Sequence, residues 1–462
     1  MSEKPKILFV AHNSVHSPSF GGVEVYLNTL SQYISNEYEV YVYVPGIGED
    51  QKYTYLYGPD GAIAQKISFE STFTNWQITC SEREAAFAKI LNELGIVLVH
   101  FHHLAGHPPS LVKAAKENDV RTIFTFHDFY GICHISNLIN FEGRYCQPDT
   151  LAPADCDTCL NKKYSIEAGS QQIRRQYWNN LFSEIDGLIF NTQGGFELVA
   201  KIYPNVANHA NVAILPVAIE PIEIPKEQIR NSDELRVAIL GHFAHHKGAD
   251  VVVQAIEQLA GENISFHFFG EIDTIYDEKL NRSKNAQIFR YGKYPAGKLP
   301  RELFSCDVSL HVSICPETYG LALSEACAAG LTPIASDIGA FGERVVDGVN
   351  GLKVEAGSSV DLIGAMLRVK ADRNLAKIAS ASGLPPFTSW MHEHANQVRV
   401  FYGKVLNLEV KRSDPANIAP AHLAEDCLLW ATFHNLYPKE DSKIGKYLKK
   451  AKKYLFSLGL DK

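Results

Sequence analysis

Two glutamates stand close together in the stretch PETYGLALSEACAAG, which spans residues 316–330. Seven residues separate Glu317 from Glu325, and this segment reads as a loop followed by a helix. We expect Thr318 to cap the start of the helix and Gly330 to end it. Because eight residues of helix rise by about 12 Å, Glu317 would lie above the helix and Glu325 two turns further along.

The helix start between these two carboxylates has the chemistry of an anion site. Its free backbone N–H groups, near Tyr319, Gly320 and Leu321, would point outward, and such groups bind phosphate with help from the helix dipole. Each carboxylate could bind the hydroxyls of a ring, and the amides between them could bind a diphosphate. A ring, a diphosphate and a second ring is the order of groups in a sugar nucleotide. In the structural alternative, Glu317 only favours the helix dipole and Glu325 is a solvated helix residue.

The elements that must position these residues form a pattern that occurs twice. A buried strand, a glycine turn and a helix with one apolar face occupy residues 5–34 and again residues 235–259. Elsewhere, short apolar strands alternate with helical segments. Because strands that alternate with helices form parallel, doubly wound sheets, the chain is predicted to be an α/β protein with two Rossmann-like domains.

The expected boundary between these domains is a stretch with three prolines. Residues 216–234 lack both helical and strand periodicity, and we interpret them as the interdomain linker. We therefore expect an N-terminal domain, a C-terminal domain, a long helix and a tail, with the bounds 1–220, 221–388, 389–408 and 409–462.

Composition and charge argue against two classes of function. The 462-residue chain has a formal net charge of −8 and a pI near 6.1, whereas a nucleic-acid-binding protein needs a basic surface. No stretch has about 18 uninterrupted apolar residues, and the N-terminus shows no apolar signal region. Neither nucleic-acid binding nor a membrane span is predicted, and the expected location is the cytoplasm.

Cysteines cluster in one segment of the first predicted domain. Four of the nine, Cys133, Cys146, Cys156 and Cys159, lie in an insertion at about residues 130–162 that ends in a C-x-x-C pair. Four thiolates suit a structural zinc ion, and scattered free thiols are the alternative. A disulfide framework is not expected in a large chain without a secretion signal.

The tail contains a basic amphipathic segment at residues 443–460, with apolar residues at helical spacing and six lysines between them. Such a helix can lie on an anionic membrane surface. It therefore predicts peripheral contact with the inner face of the membrane. A helix packed on the protein with a solvated lysine face is the alternative.

Six pieces of the sequence, taken in order, resemble the retaining GT-B glycosyltransferases whose hallmark is two glutamates with seven residues between them, a family four-like group. The resemblance covers most of residues 5–405. It implies two Rossmann-like doubly wound domains that face a central cleft, and a helix near residues 389–408 that returns to the first domain. The pieces are GGVE at 21–24, VHFHHL at 99–104, TFHDFY at 125–130, GHFAHHKG at 241–248, ETYGLALSEACAAG at 317–330 and SDIGAFGERV at 336–345.

The resemblance implies a role for each residue that matches a family motif. Glu325 would bind the ribose of the donor, and Glu317 would hold hydroxyls of the transferred sugar. Lys247 would neutralise the donor diphosphate, and His127 would reach across the cleft toward the donor sugar. The alternatives are a surface lysine beside a helix start and a core histidine at a strand end.

Glycines and one histidine complete the predicted donor site. Gly21 and Gly22 form a turn whose amides would face the cleft, and Gly241 begins the motif that carries Lys247. The family often has arginine directly after that glycine, where this chain has His242. A neutral imidazole offers one donor where a guanidinium offers a fixed fork. The diphosphate would therefore depend more on Lys247, on helix amides or on a protonated histidine.

The function that the resemblance implies is retaining transfer of a sugar from a GDP- or UDP-linked donor to a glycan or a lipid-linked glycan. The implied setting is bacterial surface polysaccharide, such as the O-antigen of lipopolysaccharide. No covalent nucleophile is obvious, so Glu317 is assigned to positioning and electrostatics. No catalytic metal ion is expected, since no Asp-x-Asp motif stands in a donor context.

Two alternatives to this function remain. A related enzyme, such as a sugar-nucleotide epimerase or a phosphorylase, is disfavoured by Lys247 together with the segment from Glu317 to Glu325. A non-catalytic GT-B subunit that binds a partner or a glycan is opposed by the intact glutamate pair and mildly supported by His242.

Overall fold

Two sheets, each covered by helices, make up the described part of the molecule. The computed structural model describes residues 3–17, 21–70, 72–74, 77–225, 233–284, 287–295, 297–382 and 389–409. The predicted tail helix at 443–460 lies outside these residues. Within them, no helix combines the length and the apolar character that a bilayer crossing requires.

Eight strands form the first sheet: β1 Lys6–Val10, β2 Glu39–Pro45, β3 Tyr53–Tyr57, β4 Ile63–Ser68, β5 Ile96–Phe101, β6 Arg121–Phe126, β7 Gly187–Phe190 and β8 Val212–Ile214. Their order is β4-β3-β2-β1-β5-β6-β7-β8. The predicted parallel pairing is confirmed from β2 to β8. Strands β3 and β4 add an antiparallel extension at one edge, because the connections before and after β3 are too short for a crossover helix.

The second sheet has six strands, all parallel: β10 Leu235–Leu240, β11 Ile264–Phe269, β12 Ile288–Gly292, β13 Val308–His311, β14 Thr332–Ser336 and β15 Leu352–Val354. Their order is β12-β11-β10-β13-β14-β15. Two short strands, β9 Ala218–Ile219 and β16 Ser389–Trp390, pair with each other where the chain passes between the two sheets and where it returns.

Helices cover both faces of each sheet. Those that precede the second sheet are α1 Gly22–Ile34, α2 Ser81–Leu94, α3 Leu111–Glu117, α4 Asp157–Tyr164, α5 Ser170–Glu184, α6 Gln193–Ile202 and α7 Pro204–Ala207. The later ones are α8 Ala249–Gln258, α9 Thr274–Arg282, α10 Leu321–Ala328, α11 Gly339–Arg344, α12 Ser359–Ala371, α13 Ile378–Ser382 and α14 Met391–Leu406. The last of them packs beside α1 on the first sheet.

The apolar periodicity of α1 shows how sequence and packing agree. Leu27, Leu30 and Ile34 recur at helical spacing, and all three are buried against the first sheet in the same core as α14. Burial of each such side chain contributes about 1.5–3 kcal/mol. This face of α1 therefore holds the preceding glycine turn, Gly21 and Gly22, in place beside the strand ends.

Each sheet has one point where the strand order reverses. In the first sheet it lies between β1 and β5, and in the second between β10 and β13. Loops that leave the carboxyl ends of such strands diverge and open a crevice in which α/β proteins bind ligands. In the second sheet, the loop after β10 carries Lys247 and the loop after β13 carries Glu317.

Candidate active site

A cavity of about 330 Å³ lies between the two sheets. Residues from both halves of the chain line it, and they include most of the predicted site: Gly22, His127, Gly241, His242, Lys247, Glu317, Tyr319, Gly320 and Leu321. Gly21 and Glu325 are absent from the lining. The N–H of Gly21 donates to the buried carboxylate of Glu24 at 2.7 Å, and this bond closes the first turn of α1.

Glu317 and Lys247, which both line this cavity, form an ion pair. The Lys247 Nζ lies 2.7 Å from Glu317 Oε1, which also accepts a hydrogen bond from the Ser313 hydroxyl at 2.8 Å. Burial by itself would raise the pKa of Glu317, but the charge of Lys247 and the hydrogen bonds from Lys247 and Ser313 keep it below its usual value. Glu317 is thus an ionised, oriented carboxylate at neutral pH.

A close approach between two loops brings Lys247 to this position. Lys247 ends a short 3-10 turn, His245–Lys247, and Gly248 follows with φ +82°. A Cβ at Gly248 would lie 2.0 Å from the carbonyl oxygen of Val312, so only glycine allows the turn to rest on the end of β13. The glycine of the HHKG motif therefore brings the lysine to the Glu317 loop.

The helix of the two-glutamate motif starts later than predicted. Thr318 is not its cap: α10 begins at Leu321, and the N-cap is Gly320 with φ +82°. A Cβ at Gly320 would lie 2.3 Å from the Phe341 ring, which explains why a glycine and not a threonine occupies this position. The hydroxyl of Thr318 donates instead to the carbonyl of His127 at 2.6 Å.

The start of α10 offers the predicted anion-binding groups. In the described part of the chain, no hydrogen-bond acceptor faces the N–H groups of Gly320, Leu321 and Ala322, and all three residues line the cavity. The predicted end of the helix also holds: Gly330 has φ +79°, and its N–H donates to the carbonyl of Cys327. Free amides, the helix dipole and the Lys247 ammonium together make a region of positive potential.

His127 approaches the cavity from the first sheet. Its Nε2 lies 3.0 Å from the Nδ1 of His102, and its ring packs against Tyr26. Burial lowers the pKa of His127 to about 3, so the imidazole is neutral at physiological pH. A neutral ring at this place can exchange hydrogen bonds with hydroxyl groups but adds no positive charge.

His242 also lines the cavity and is held by a carboxylate. Its Nε2 lies 2.6 Å from Asp273 Oδ1, and both side chains are about half exposed. The neighbouring His246 is more buried, and burial together with the charge of Lys247 lowers its pKa to about 4. Among the described residues that line the cavity, Lys247 is the only lysine or arginine.

Glu325 lies further along α10, outside the cavity lining. It accepts a hydrogen bond from the Tyr294 hydroxyl at 2.7 Å. Burial raises the pKa of Glu325, and the bond from Tyr294 only partly opposes this shift. Sequence reasoning did not single out Tyr294, which lies outside all six pieces of the family resemblance.

Two family descriptions match consecutive parts of the chain. "Glycosyltransferase Family 4" matches residues 20–219, and "Glycosyl transferases group 1" matches residues 221–383. The chain belongs to the GT-B glycosyltransferases of the family 4-like type.

Solved structures share the architecture of this GT-B glycosyltransferase. Anabaena HepE in complex with UDP and glucose superposes with a TM-score of 0.59, at 15% identity, over 87% of this chain and 100% of the other. Sucrose-phosphate synthase from Thermosynechococcus elongatus superposes with a TM-score of 0.61, at 16% identity, over 87% and 99%. At these identities the likeness shows the fold alone.

One curated relative is a glycogen synthase from Thermodesulfovibrio yellowstonii. It is 29% identical over 252 residues, a match that spans 52% of this GT-B glycosyltransferase and 48% of the relative. This chain therefore matches about half the length of the curated protein.

Direct hydrogen bonds link the two halves of this GT-B glycosyltransferase around the cavity. Thr318 bonds His127, as described, and the Thr192 hydroxyl donates to the carbonyl of Thr318 at 3.2 Å. His245 Nε2 lies 2.8 Å from the carbonyl of Gly143, a residue of the cysteine-rich insertion. The loops that carry Glu317 and Lys247 are therefore each tied to the opposite side of the cleft.

Glu343 makes a further link that the sequence did not indicate. Its two carboxylate oxygens accept hydrogen bonds from the N–H groups of Gln193 and Gly194, at 3.1 and 2.7 Å. These are the first two residues of α6. A carboxylate at a helix N-terminus pairs charge with the dipole, so Glu343 of α11 acts as a clamp across the cleft.

Replacement of Glu343 by glutamine is expected to loosen this clamp. The amide NH₂ of glutamine cannot accept a second hydrogen bond, and bonds to charged groups are worth about 1.5–3 kcal/mol. We expect backbone exchange at Gln193 and Gly194 to accelerate by about tenfold or more, measured by hydrogen–deuterium exchange on peptides that cover the start of α6. Glu197→Gln removes a carboxylate from the same helix. In the part of the chain that the structure describes, Glu197 bonds the Gln193 side chain and no backbone N–H, so this variant should leave the exchange unchanged. Equal exchange in both variants would contradict the clamp.

The four cysteines that were predicted as zinc ligands pack against one hydrophobic core beneath the insertion. Burial raises the pKa of Cys146 to about 12 and that of Cys156 to about 11, so both thiols are protonated at neutral pH. In the described part of the chain, no three metal-ligating side chains are close enough together to hold one ion, and the cysteines there form no disulfide. The zinc site, Cys133, Cys146, Cys156 and Cys159, stays a prediction that this geometry does not support.

Proposed function

We propose that this chain is a retaining glycosyltransferase that moves a sugar from a nucleoside diphosphate sugar to a glycan or a lipid-linked glycan. One observation carries the proposal. Three free backbone N–H groups, the Lys247 ammonium and the ionised Glu317 converge on one cavity between the two sheets. Positive potential beside an oriented carboxylate suits a ligand that joins a diphosphate to a hydroxylated ring.

In this proposal, the amides at the start of α10 and Lys247 bind the diphosphate. Negative charge accumulates on the phosphate as the bond to the sugar breaks, and fixed donors at that point stabilise the transition state. In the ligand-free arrangement Lys247 is paired with Glu317. When the donor binds, Lys247 is shared between the phosphate and Glu317, and Glu317 Oε2 accepts hydrogen bonds from hydroxyls of the transferred sugar.

The ribose of the donor is proposed to extend beyond the cavity lining and to bind at Glu325. Tyr294 donates to Glu325 Oε2, and Glu325 Oε1, which accepts no hydrogen bond from the described residues, would accept one from a ribose hydroxyl. His127, neutral and on the opposite wall, completes the sugar site by exchanging a hydrogen bond with a hydroxyl group.

Retention of configuration is proposed to follow from attack on the face that the phosphate leaves. The bond from the anomeric carbon to the phosphate oxygen breaks, and the acceptor oxygen forms the new bond. The acceptor proton passes to an oxygen of the departing nucleoside diphosphate. In support, Glu317, the only carboxylate among the described residues that line the cavity, is held by Lys247 and Ser313, which favours a positioning role over attack on the anomeric carbon.

The donor is proposed to be linked to UDP or GDP. The solved structures of Anabaena HepE contain UDP, UDP-glucose, or UDP and glucose, which favours UDP. The acceptor, the role in bacterial polysaccharide or O-antigen assembly, the cytoplasmic location and a membrane contact through residues 443–460 rest on the sequence resemblance and the tail alone.

Calorimetric titration of the purified protein with UDP, GDP, dTDP and ADP tests the proposal without knowledge of the acceptor. We expect one nucleotide to bind with micromolar affinity and to identify the donor class. The matching sugar nucleotide is then supplied with candidate glycans in the presence of EDTA, and the anomeric configuration of the product is read by NMR. If the folded protein binds none of the four nucleotides, the catalytic proposal fails and a non-catalytic GT-B subunit becomes the better reading.

A further inference from the structure

One arginine lies completely buried directly behind the start of α10. Arg344, the last residue of α11, is 0% exposed. Its guanidinium bonds two carbonyls and a hydroxyl, and it forms no ion pair with a carboxylate in the described part of the chain. The adjacent Glu343 is directed to the amides of α6 instead. Burial of a cation without a counter-ion costs free energy, so other contacts must compensate the burial of Arg344.

The Arg344 guanidinium bonds the backbone of the loop that leads into α10. Its Nη1 donates to the carbonyls of Tyr319 at 2.7 Å and of Gly320 at 3.1 Å, and its Nη2 donates to the Ser324 hydroxyl at 2.6 Å. The guanidinium also lies over the Tyr319 ring, 4.0 Å from its centroid. Two consecutive peptide carbonyls are thereby held on the side away from the cavity.

The geometry of the peptide bond converts this contact into an effect on the cavity. In a trans peptide, the carbonyl of one residue and the N–H of the next point in opposite directions. Because Arg344 holds the carbonyls of Tyr319 and Gly320, the N–H groups of Gly320 and Leu321 point the other way. Both residues line the cavity, and neither N–H has an acceptor in the described part of the chain.

The positive charge of Arg344 adds to the positive potential that these N–H groups create at the cavity. Its carbonyl partners are polarised by the guanidinium, so each peptide unit presents a more positive N–H at the cavity. Lys247 is the only lysine or arginine that lines the cavity in the described residues. His242 follows Gly241, at the position where the family that this sequence resembles often has an arginine.

We propose that Arg344 is a positioning residue for the donor diphosphate: it aims the N–H groups of Gly320 and Leu321 at the phosphate and supplies a buried positive charge behind them. The proposal rests on the proposed function, since it assumes that the cavity binds a nucleoside diphosphate. It assigns to Arg344 no contact with the ligand and no proton transfer.

The test compares the affinity of the protein for UDP with its affinity for uridine, which lacks the diphosphate. If the wild type prefers GDP, GDP and guanosine replace them. We expect Arg344→Gln to lower the ratio of the two affinities by about tenfold or more, with little change in uridine binding. Arg344→Lys keeps the charge but replaces the planar fork, whose two terminal nitrogens bond separate acceptors, by a single nitrogen, so it should give a smaller fall.

Arg174→Gln is the matched control. Arg174 is also buried, and its guanidinium bonds two consecutive carbonyls, those of Tyr130 and Gly131, away from the cavity. The control should lower thermal stability without lowering the affinity ratio. A purely structural role for Arg344 would weaken UDP and uridine binding alike.

An unchanged affinity ratio in folded Arg344→Gln protein overturns the inference and leaves the proposed function standing. If Arg344→Gln does not fold, the same comparison with Arg344→Lys decides: a lowered ratio supports the inference, and an unchanged ratio overturns it. The wild type is measured before any variant. If it binds no nucleoside diphosphate, the proposed function itself is wrong.

Discussion

Replacement of Lys247 by methionine is expected to lower kcat/KM for the sugar-nucleotide donor by ~10²–10³-fold. Lys247 is the only lysine or arginine among the described residues that line the cavity. The proposed leaving group, a nucleoside diphosphate, would carry its negative charge beside this ammonium. Methionine keeps the length and apolar stem of the side chain while removing the charge. Initial rates at several donor concentrations, together with calorimetric affinity for the nucleoside diphosphate, measure the effect, and we expect both quantities to fall.

The same variant should change the dependence of turnover on pH. In the wild type, the charge of Lys247 opposes the upward effect of burial and keeps the pKa of Glu317 below its usual value. Without that charge, burial raises the pKa of Glu317. Activity that requires the carboxylate is lost as pH falls through this pKa, so the acid limb of the pH profile should move to higher pH in Lys247→Met.

Lys353→Met is the control for both measurements. Lys353 is also a partly buried lysine of the second sheet, and its Nζ lies 2.8 Å from Asp337 Oδ1, but it does not line the cavity. It should retain wild-type turnover and the wild-type acid limb. If Lys247→Met keeps its affinity for the nucleoside diphosphate, the assignment of Lys247 to the diphosphate is wrong.

Replacement of Glu317 by glutamine is expected to lower kcat by about 10³-fold. The carboxylate is proposed to hold hydroxyls of the transferred sugar while positive charge develops at the anomeric carbon, and a neutral amide of the same shape does not supply that charge. Lys247 and the α10 amides remain, so affinity for the nucleoside diphosphate should stay close to that of the wild type. Single-turnover rates and calorimetry on one preparation separate the two effects.

Glu262→Gln provides the comparison, since Glu262 also pairs with a lysine, Lys370, in the same half of the chain but away from the cavity. It should turn over like the wild type. Full activity in Glu317→Gln would remove the proposed role in transfer. A parallel loss of nucleotide affinity would instead show that Glu317 acts mainly by orienting Lys247.

Several features could be predicted because they depend on a few neighbouring residues. The helix over residues 22–34 follows from apolar residues that recur every three or four positions. The end of α10 follows from Gly330, and the repeated strand, turn and helix pattern predicts the two Rossmann-like sheets. Each of these features depends on residues within a few positions of one another, so the sequence alone is sufficient to predict it.

Other features could not be predicted from the sequence, because they depend on residues that are distant along the chain. Thr318 has the chemistry of an N-cap, yet its hydroxyl bonds His127, 191 residues away. The helix starts instead at a glycine whose left-handed backbone packs under Phe341. The zinc site suggested by the four clustered cysteines stays a prediction: all four pack against one core beneath the insertion, and in the described residues they form no group that could hold a metal ion.

The sequence by itself determined the fold class, the family and the types of residue available for chemistry: two glutamates on a helix motif, a lysine between glycines and a histidine at a strand end. Only the tertiary structure decided which of them meet. It pairs Lys247 with Glu317 and places Glu325 beside Tyr294, beyond the cavity lining. It also places Arg344 behind the amides of α10. The physical reason is that local periodicity and glycine conformation are set within a few residues, whereas charge pairing and burial depend on segments that only the folded chain brings together.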